Sequence, residues 1–538
     1  MSHWRNALTK REWQVAATLL VLWAVLFLPH LRSSPNWYGD EGEWMEKCWT
    51  FIHGTPRVGP IINDFVFPYP YPPLYMLVNG ALLRVFGDDV VVGRALGAVT
   101  ALGAAALLFW IGSRLRDKTF GFLCAAALLV YAEANMNFRW VRSHPLAGMV
   151  ALAAVGFLVR YVQEKKLRDI ALAGLMCTLA TATHYFTYPL IGAVIVTALV
   201  VNWRHVLVAG AAAGSYGVLF VGWYLATRGW GQLLAQVGRL TSVAASEVKP
   251  TFGAEVARLI ENFWNFSFKT PTGMGLQGPT GHDWWLTLAT VGFLFLPVTK
   301  NKWLRLWVPF WLLVLMYGVF KKLNNVPLFF YPATIFLPLM AVGLAGVLAW
   351  AGEGLKRLGA PGGRALPVLA LVPFMWGAAS GAWGHFDSKI DHWTQRSVPD
   401  AEAVMQYVND NTTTNDMVVV PKQIYWLVKH ARRNMLTYCA RYDGPPNDMP
   451  VPVPIPKEQY WFDPRLENMK YVVLEYGTRE VVLPDGRRGQ LPMGIDAVYT
   501  IPVLRGVKEI IQQMQQDKWP VVSQHGAYLV LANPRLTK

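Results

Sequence analysis

Long apolar runs separated by short polar stretches recur along most of this chain. Runs close to the ~20 residues that a helix needs to cross a hydrocarbon core fall at 14–30, 91–113, 119–138, 145–162, 168–184, 187–203, 205–226, 283–299, 303–320, 327–350 and 364–384. The pattern predicts a polytopic α-helical membrane protein with about eleven spans. One further run, "YPPLYMLVNGALLRVF" (71–86), is shorter, opens on Pro72-Pro73 and contains Asn79 and Arg84. Beyond residue 384 the period changes. Strand-like runs ("DMVVVP", "KYVVLEY", "AYLVLAN") alternate with helix-like ones ("DAEAVMQYV", "VKEIIQQMQQ"), which predicts a soluble α/β domain over 385–538. The membrane part is then 1–384, with a first outer loop over 31–90 and a long outer loop over 227–282. The long loop contains an amphipathic helix candidate, "AEVARLIENFWNF" (254–266), and ends in the turn-rich "KTPTGMGLQGPTGHD". A loop of that length beside a site serves either as a lid or as plain linker.

Loop charge fixes the expected orientation. If 71–86 lies at the interface, thirteen Lys and Arg residues after the first helix fall in cytoplasmic loops, and four (Arg139, Arg142, Lys321, Lys322) fall in short outer ones. If 71–86 spanned, every assignment would invert against the positive-inside bias. The basic N-terminus, "MSHWRNALTKREW", precedes an apolar run with no small-residue cleavage site, so a retained first helix with a cytoplasmic N-terminus is expected. The tail is expected to be extracytoplasmic. The same parity gathers "YGDE" (38–41), "NFRWVRSH" (137–144), "ATHYFTY" (182–188) and "FKKLNN" (320–325) on the outer face.

Composition agrees with a membrane protein: 53% hydrophobic, 15% charged, mean hydropathy +0.27, where soluble domains carry roughly a quarter charged residues. The net charge of +15 sits in the loops and reports orientation rather than nucleic-acid binding. Cys48, Cys124, Cys177 and Cys439 have no metal-binding spacing, and a Cys48–Cys439 pair is left open. Span interiors are almost free of ionisable groups, with Arg94 and Glu133 toward the ends. Ion-coupled transporters need such groups near the midplane, so the polar chemistry concentrates at the outer interface instead.

The candidate chemistry centres on "NWYGDEGEWMEKCW" (36–49). Asp40 and Glu43 have capping-box spacing, and a helix begun there aligns Trp44, Cys48, Phe51 and Ile52 and ends at Gly54. Capping and catalysis are compatible, because a cap fixes the position of its carboxylate. An Asp40–Glu41 pair with waters is also a possible divalent-cation site. The four outer cations either snorkel toward headgroups or clamp a phosphate. His144 and His184 either satisfy local hydrogen bonds or touch substrate, and neither has zinc-ligand spacing. Aromatics at Trp37, Tyr38, Tyr69, Tyr71, Tyr185 and Trp264 either stack on sugar faces or anchor at the interface.

Taken in order, "GDEGEWMEKCWTFIHG", "YPYPPLYMLVNGALLRVFG", "GRALGAV", "RWVRSHPLAG", "GLMCTLATATHYFTYPL", "GWYLA" and "NNVPLFFYPATIFLPLMAVGLA" resemble the C-type (GT-C) integral-membrane glycosyltransferases. The similarity is to the protein O-mannosyltransferase and lipid A aminoarabinose transferase branch, over about residues 10–350. The resemblance implies transfer of a sugar from a polyprenyl-phosphate donor to an envelope acceptor (lipid, glycan or protein) on the outer face, with inversion. Asp40 would bind the acceptor or take its proton, with Glu41 second in that role. The substrate-binding candidates are Arg139, Arg142, His144, His184, Tyr185, Lys321, Lys322, Tyr71 and Asp64. This chain departs from the branch where His144 stands for an Asp, Pro70-Tyr71 for Glu-Lys, and His184 for a nearby Lys. The competing reading is a non-catalytic transporter or flippase of lipid-linked sugars.

Overall fold

The computed structural model describes residues 10–34, 39–53, 72–222, 225–226, 252–268, 283–294, parts of 301–314, 334–359, 365–383, 398–421, 424–434, and parts of 462–493 and 505–537. Helix α1 (Lys10–Phe27) is followed by α2 (Gly39–His53), α3 (Pro73–Phe86), α4 (Val90–Leu115), α5 (Lys118–Leu129), α6 (Ala132–Arg139), α7 (Ser143–Glu164), α8 (Leu167–Thr183) and α9 (Pro189–Asn202). Next come α10 (206–222), α11 (Phe252–Phe268), α12 (Trp284–Leu294), α13 (Leu337–Arg357) and α14 (Val372–Trp383).

Among the described residues, five stretches are long and apolar enough to cross a membrane, or six if the bent pair α5–α6 counts as one. Several of the eleven expected runs are helical but shorter, such as α1 and α12, and 295–300 and 315–333 lie outside the described residues. One qualifying stretch, Tyr185–Gly222, is 38 residues long and is folded back on itself. Asn202 is extended (φ −160°, ψ 99°) and its side chain accepts from the Arg204 amide, ending one helix and capping the next. His205 meets Tyr161 near the end of α7 at 3.1 Å. Thr178 of α8 meets Ala212 and Ser215 of α10 at 2.6 and 2.9 Å. Helix α10 therefore climbs beside α8 while α9 descends, as two separate runs at 187–203 and 205–226 require. Large apolar side chains stay exposed on the outer faces of these helices, among them Leu20, Val99, Leu199, Leu207 and Val218. A bilayer covers such a belt, and the helices satisfy their own backbone groups within it.

The break between α5 and α6 bends the chain by 64°. It frees the last carbonyls of α5, and the Trp285 indole donates to that of Ala127 at 2.9 Å. Trp285 also stacks on Tyr131 (3.8 Å, 7°). The Tyr131 hydroxyl donates to Asp283 at 2.6 Å, while Asp283 accepts the Leu286 amide at 3.0 Å and so caps α12.

The C-terminal elements form a five-stranded mixed sheet. In chain order the strands are β1 (Met417–Val419), β2 (Arg432–Asn434), β3 (Tyr471–Glu475), β4 (Gly477–Val482), β5 (Arg488–Met493), β6 (Val521–His525) and β7 (Tyr528–Ala532). The sheet order is β2-β1-β3-β7-β6, with β4–β5 a separate hairpin. β1 pairs in parallel with β2 and β3, and β7 pairs antiparallel with β3 and β6. Alternation sorts the two faces. Val418, Val473 and Val530 pack with Ala401, Val404 and Met405 of α15 (Val398–Asp410). Val419, Val472 and Leu531 pack with Ile511 and Met514 of α16 (Arg505–Gln516). The first face is continuous with Trp44, Met45, Cys48, Tyr75 and Met76, so the sheet layer is seated on α2 and α3.

Candidate active site

Helices α2 and α3 run side by side in the same direction. Trp44 meets Tyr75 edge-on at 5.4 Å, and the Asn79 amide donates to the Cys48 sulfur at 3.4 Å. A Cβ on Gly80 would come to 2.5 Å from the Cys48 carbonyl oxygen, so glycine sets this close approach. Cys48 is a free, buried thiol pushed up to about 12 by burial, and Cys439 lies outside the described residues. Burial, then the Cys48 and Glu41 charges, push the Tyr75 phenol up against the opposing effect of Arg142. These groups therefore share one field.

Of the two adjacent carboxylates, Glu41 is the one whose side chain is described. Glu41 is buried, and Arg94 of α4 grips both of its oxygens, Nε to Oε1 at 2.9 Å and Nη2 to Oε2 at 2.7 Å. The Val141 amide donates to Oε1 at 3.0 Å, and Arg94 Nη1 donates to the Leu31 carbonyl at 2.9 Å. A single buried ion pair thus ties α2, α4, the end of the α1 segment and the 140–142 loop together. Asp40 is the second residue of α2, inside the helix rather than before it, and its side chain lies outside the described residues, as does that of Glu43. The helix is described to His53, and Gly54, its expected end, lies outside the described residues.

The loop between α6 and α7 lies against α4 because α4 is small there. A Cβ on Gly97 would run into the Phe138 carbonyl oxygen. This seats Arg139, buried, with an Nη2 donating to the Pro29 carbonyl. It also seats Arg142, buried, over the Trp140 ring at 5.4 Å. Helix α7 then starts without a side-chain cap. Ser143 Oγ and His144 Nδ1 are buried with no hydrogen-bond partner among the described residues. The His144 ring lies 4.3 Å from that of His184, tilted by 35°, and His184 stacks on Tyr185 at 4.6 Å. The Phe186 amide donates to His184 Nδ1 at 3.2 Å, so in the neutral ring the proton sits on Nε2, leaving a donor there.

The structure therefore brings Glu41, Arg139, Arg142, His144, His184 and Tyr185 to one end of the bundle. Lys321, Lys322, Tyr71 and Asp64 lie outside the described residues, as do Trp37, Tyr38 and Tyr69. Arg94 is the residue that sequence reading passed over, and "GRALGAV" was its signal: an arginine between two glycines four apart. For a metal ion the donor set is thin. Among the described residues no three His, Cys, Asp or Glu side chains cluster. Glu41 already accepts from Arg94 on both oxygens and from the Val141 amide on Oε1.

A polytopic helical bundle with a polar cluster at one end and a mixed sheet seated above it is the GT-C-type fold, and solved structures agree. The structure of ArnT from Cupriavidus metallidurans bound to undecaprenyl phosphate matches with a TM-score of 0.58 at 13% identity, covering 99% of this chain and 100% of that one. Its apo state matches at 0.56 and 14% identity, over 98% of each chain. The apo oligosaccharyltransferase of Archaeoglobus fulgidus matches at 0.51 and 12% identity, over 91% of this chain and 75% of that one. At these identities the likeness is one of fold. No protein-family model matches the sequence, and no curated protein matches it.

Proposed function

We propose that this protein is a membrane glycosyltransferase that moves a sugar from a polyprenyl-phosphate donor to an envelope lipid, glycan or protein on the extracytoplasmic face. The N-terminus is cytoplasmic, and the sheet layer lies on the same side as the site. The observation that carries the reading is the buried Arg94–Glu41 pair, which holds the start of α2 beside the Arg139–Arg142 loop. A buried ion pair adds little net stability by itself, and here it sets the position of the carboxylate next to it. Support for the donor class comes from the undecaprenyl phosphate bound by the ArnT structure of like fold.

In this mechanism Asp40 accepts the proton of the acceptor hydroxyl, whose oxygen attacks the anomeric carbon opposite the phosphate. The C–O bond to phosphate breaks, and the anomeric centre inverts in one displacement. A positioned base contributes about 10²–10⁴ in rate. Arg142 and Arg139 stabilise the departing polyprenyl phosphate, and Lys321 and Lys322 are assigned to the same anion. The uncapped start of α7 favours negative charge nearby, with Ser143 Oγ and the two imidazoles as hydrogen-bonding partners. Tyr185, Tyr71 and Asp64 are assigned to the sugar and acceptor. Glu41 is a positioning residue, and no step passes through a metal.

The test separates transferase from flippase. Detergent-solubilised protein is incubated with extracted membrane lipids and acceptors from cells that lack it, and products are read by mass spectrometry. Transfer of a sugar without a sealed membrane supports the reading. Restoration that occurs only in sealed vesicles would overturn it in favour of transport.

A further inference from the structure

Between Pro29 and Ser34, the turn that follows α1 touches the candidate site, α14 and the C-terminal sheet layer. The Ser33 and Ser34 amides both donate to the His30 carbonyl, at 3.0 and 2.8 Å, and His30 holds a left-handed φ of 51°. That conformation is costly for a residue with a Cβ and persists where the surroundings hold it. Here the two neighbouring carbonyls are held by the site: that of Pro29 accepts from Arg139, and that of Leu31 accepts from Arg94 Nη1 at 2.9 Å. Ser34 Oγ donates to the Gly381 carbonyl of α14 at 3.1 Å.

Arg32, in the same turn, reaches the sheet layer. Its Nε donates to Glu402 of α15 at 2.6 Å. Its Nη1 donates to Asp89, which also accepts the Val91 amide at 2.9 Å and so caps α4. The guanidinium lies 5.9 Å from the centroid of the Trp426 ring. One side chain thus joins the turn, the start of α4 and the sheet layer, a task that suits the planar fork of arginine. Arg32, Asp89 and Glu402 are 41%, 37% and 38% exposed, so these pairs add little to stability. What they fix is position. The Leu31 carbonyl and the Arg32 Cα belong to one planar peptide unit, so anchoring Arg32 directs that carbonyl. From there the contacts are continuous: the Leu31 carbonyl to Arg94, Arg94 to both oxygens of Glu41, and Glu41 Oε1 to the Val141 amide at 3.0 Å.

We infer that Arg32 is a positioning residue, through which the C-terminal sheet layer sets Arg94, Glu41 and Arg139. Its effect on transfer rests on the function proposed above, whereas its effect on the Glu41–Val141 contact does not. The layer stays seated on α2 and α3 through the shared core of Trp44, Tyr75, Val404 and Val418. A change at Arg32 therefore tests the turn and not the presence of the layer.

The test uses full-length protein in nanodiscs, with hydrogen exchange of the Val141 amide read by mass spectrometry and transfer kinetics measured beside it. Arg32→Met keeps the apolar stem and removes the fork, and Glu402→Gln keeps the size and removes the charge. Lys118→Ala, which breaks a solvated pair at the other end of the bundle, is the control. Exchange at Val141 is expected to quicken about fivefold in Arg32→Met and Glu402→Gln, the size of one solvated ion pair. Amides in the middle of α7, and Val141 in Lys118→Ala, are expected to keep the wild-type rate. The kcat is expected to fall by a similar factor with the donor KM unchanged, and the double variant to lose no more than Arg32→Met. Wild-type exchange at Val141 in Arg32→Met overturns the inference, and so do losses that add in the double variant. Faster exchange throughout α7 also overturns it, as general loosening. If wild-type protein transfers no sugar, the proposed function falls alone, and the Val141 amide still decides the placement.

Discussion

Two sets of ion pairs, one toward each end of the helical bundle, are held in opposite ways. At the Lys118 end two ion pairs are solvated: Lys118 is 65% exposed in its pair with Glu12, and Glu353 is 48% exposed in its pair with Arg116. At the Glu41 end the Arg94–Glu41 pair is 0% and 1% exposed, with Arg139, Arg142, His144 and His184 buried around it. Exposed pairs are cheap to form and contribute little. Buried ones carry a desolvation cost that packing alone does not require. The solvated end therefore reads as orientation and anchoring, and the buried end as a place where position matters.

Breaking the buried pair tests this contrast most strongly. Arg94→Met leaves the Glu41 carboxylate buried without its guanidinium, and a loss of about 3–5 kcal/mol is expected. Denaturation in detergent measures it, and Arg94→Met with Glu41→Met is expected to recover much of the loss. A double variant as unstable as the single one would mean that the pair's charge is not what destabilises it.

A smaller effect is expected where the loop meets α4. Gly97→Ala pushes a methyl group against the Phe138 carbonyl, a backbone atom that cannot swing aside, at a cost of about 1–3 kcal/mol. Because Arg139 and Arg142 follow that backbone, transfer activity is expected to fall along with stability. The smallest change belongs to the solvated end. Lys118→Ala is expected to cost at most about 1 kcal/mol and to leave transfer unchanged. A larger effect there would erase the contrast between the ends.

Much of this architecture is legible in the sequence, and what is missed has physical causes. The strand-like runs at 416–421, 470–476 and 527–533 contain β1, β3 and β7, because a continuous apolar run suits a strand buried on both faces. The strands β2, β4, β5 and β6 carry polar or charged residues and lack that pattern. The candidate helix at 254–266 lies within α11, and the two runs at 187–203 and 205–226 are separated by the Asn202 turn. Hydropathy shows only the place of Arg94 in an apolar run. Its partner Glu41 is 53 residues away and is visible only once α2 and α4 are packed. The sequence ranks Glu41 behind Asp40 through the family resemblance, and packing engages Glu41 with Arg94.

The central claim is that this division of labour leaves the chemistry to Asp40. The most direct measurement complements cells lacking the protein with wild type or Asp40→Asn and compares their envelope glycolipids and glycoproteins by mass spectrometry, after checking equal expression and unfolding temperature. Asn keeps the size and the hydrogen-bonding carbonyl of Asp but cannot act as the base. The account predicts that only wild type restores the missing sugar, with the Asn variant about 10²–10⁴-fold slower. Equal restoration by both would contradict it and leave Asp40 a structural residue at the start of α2.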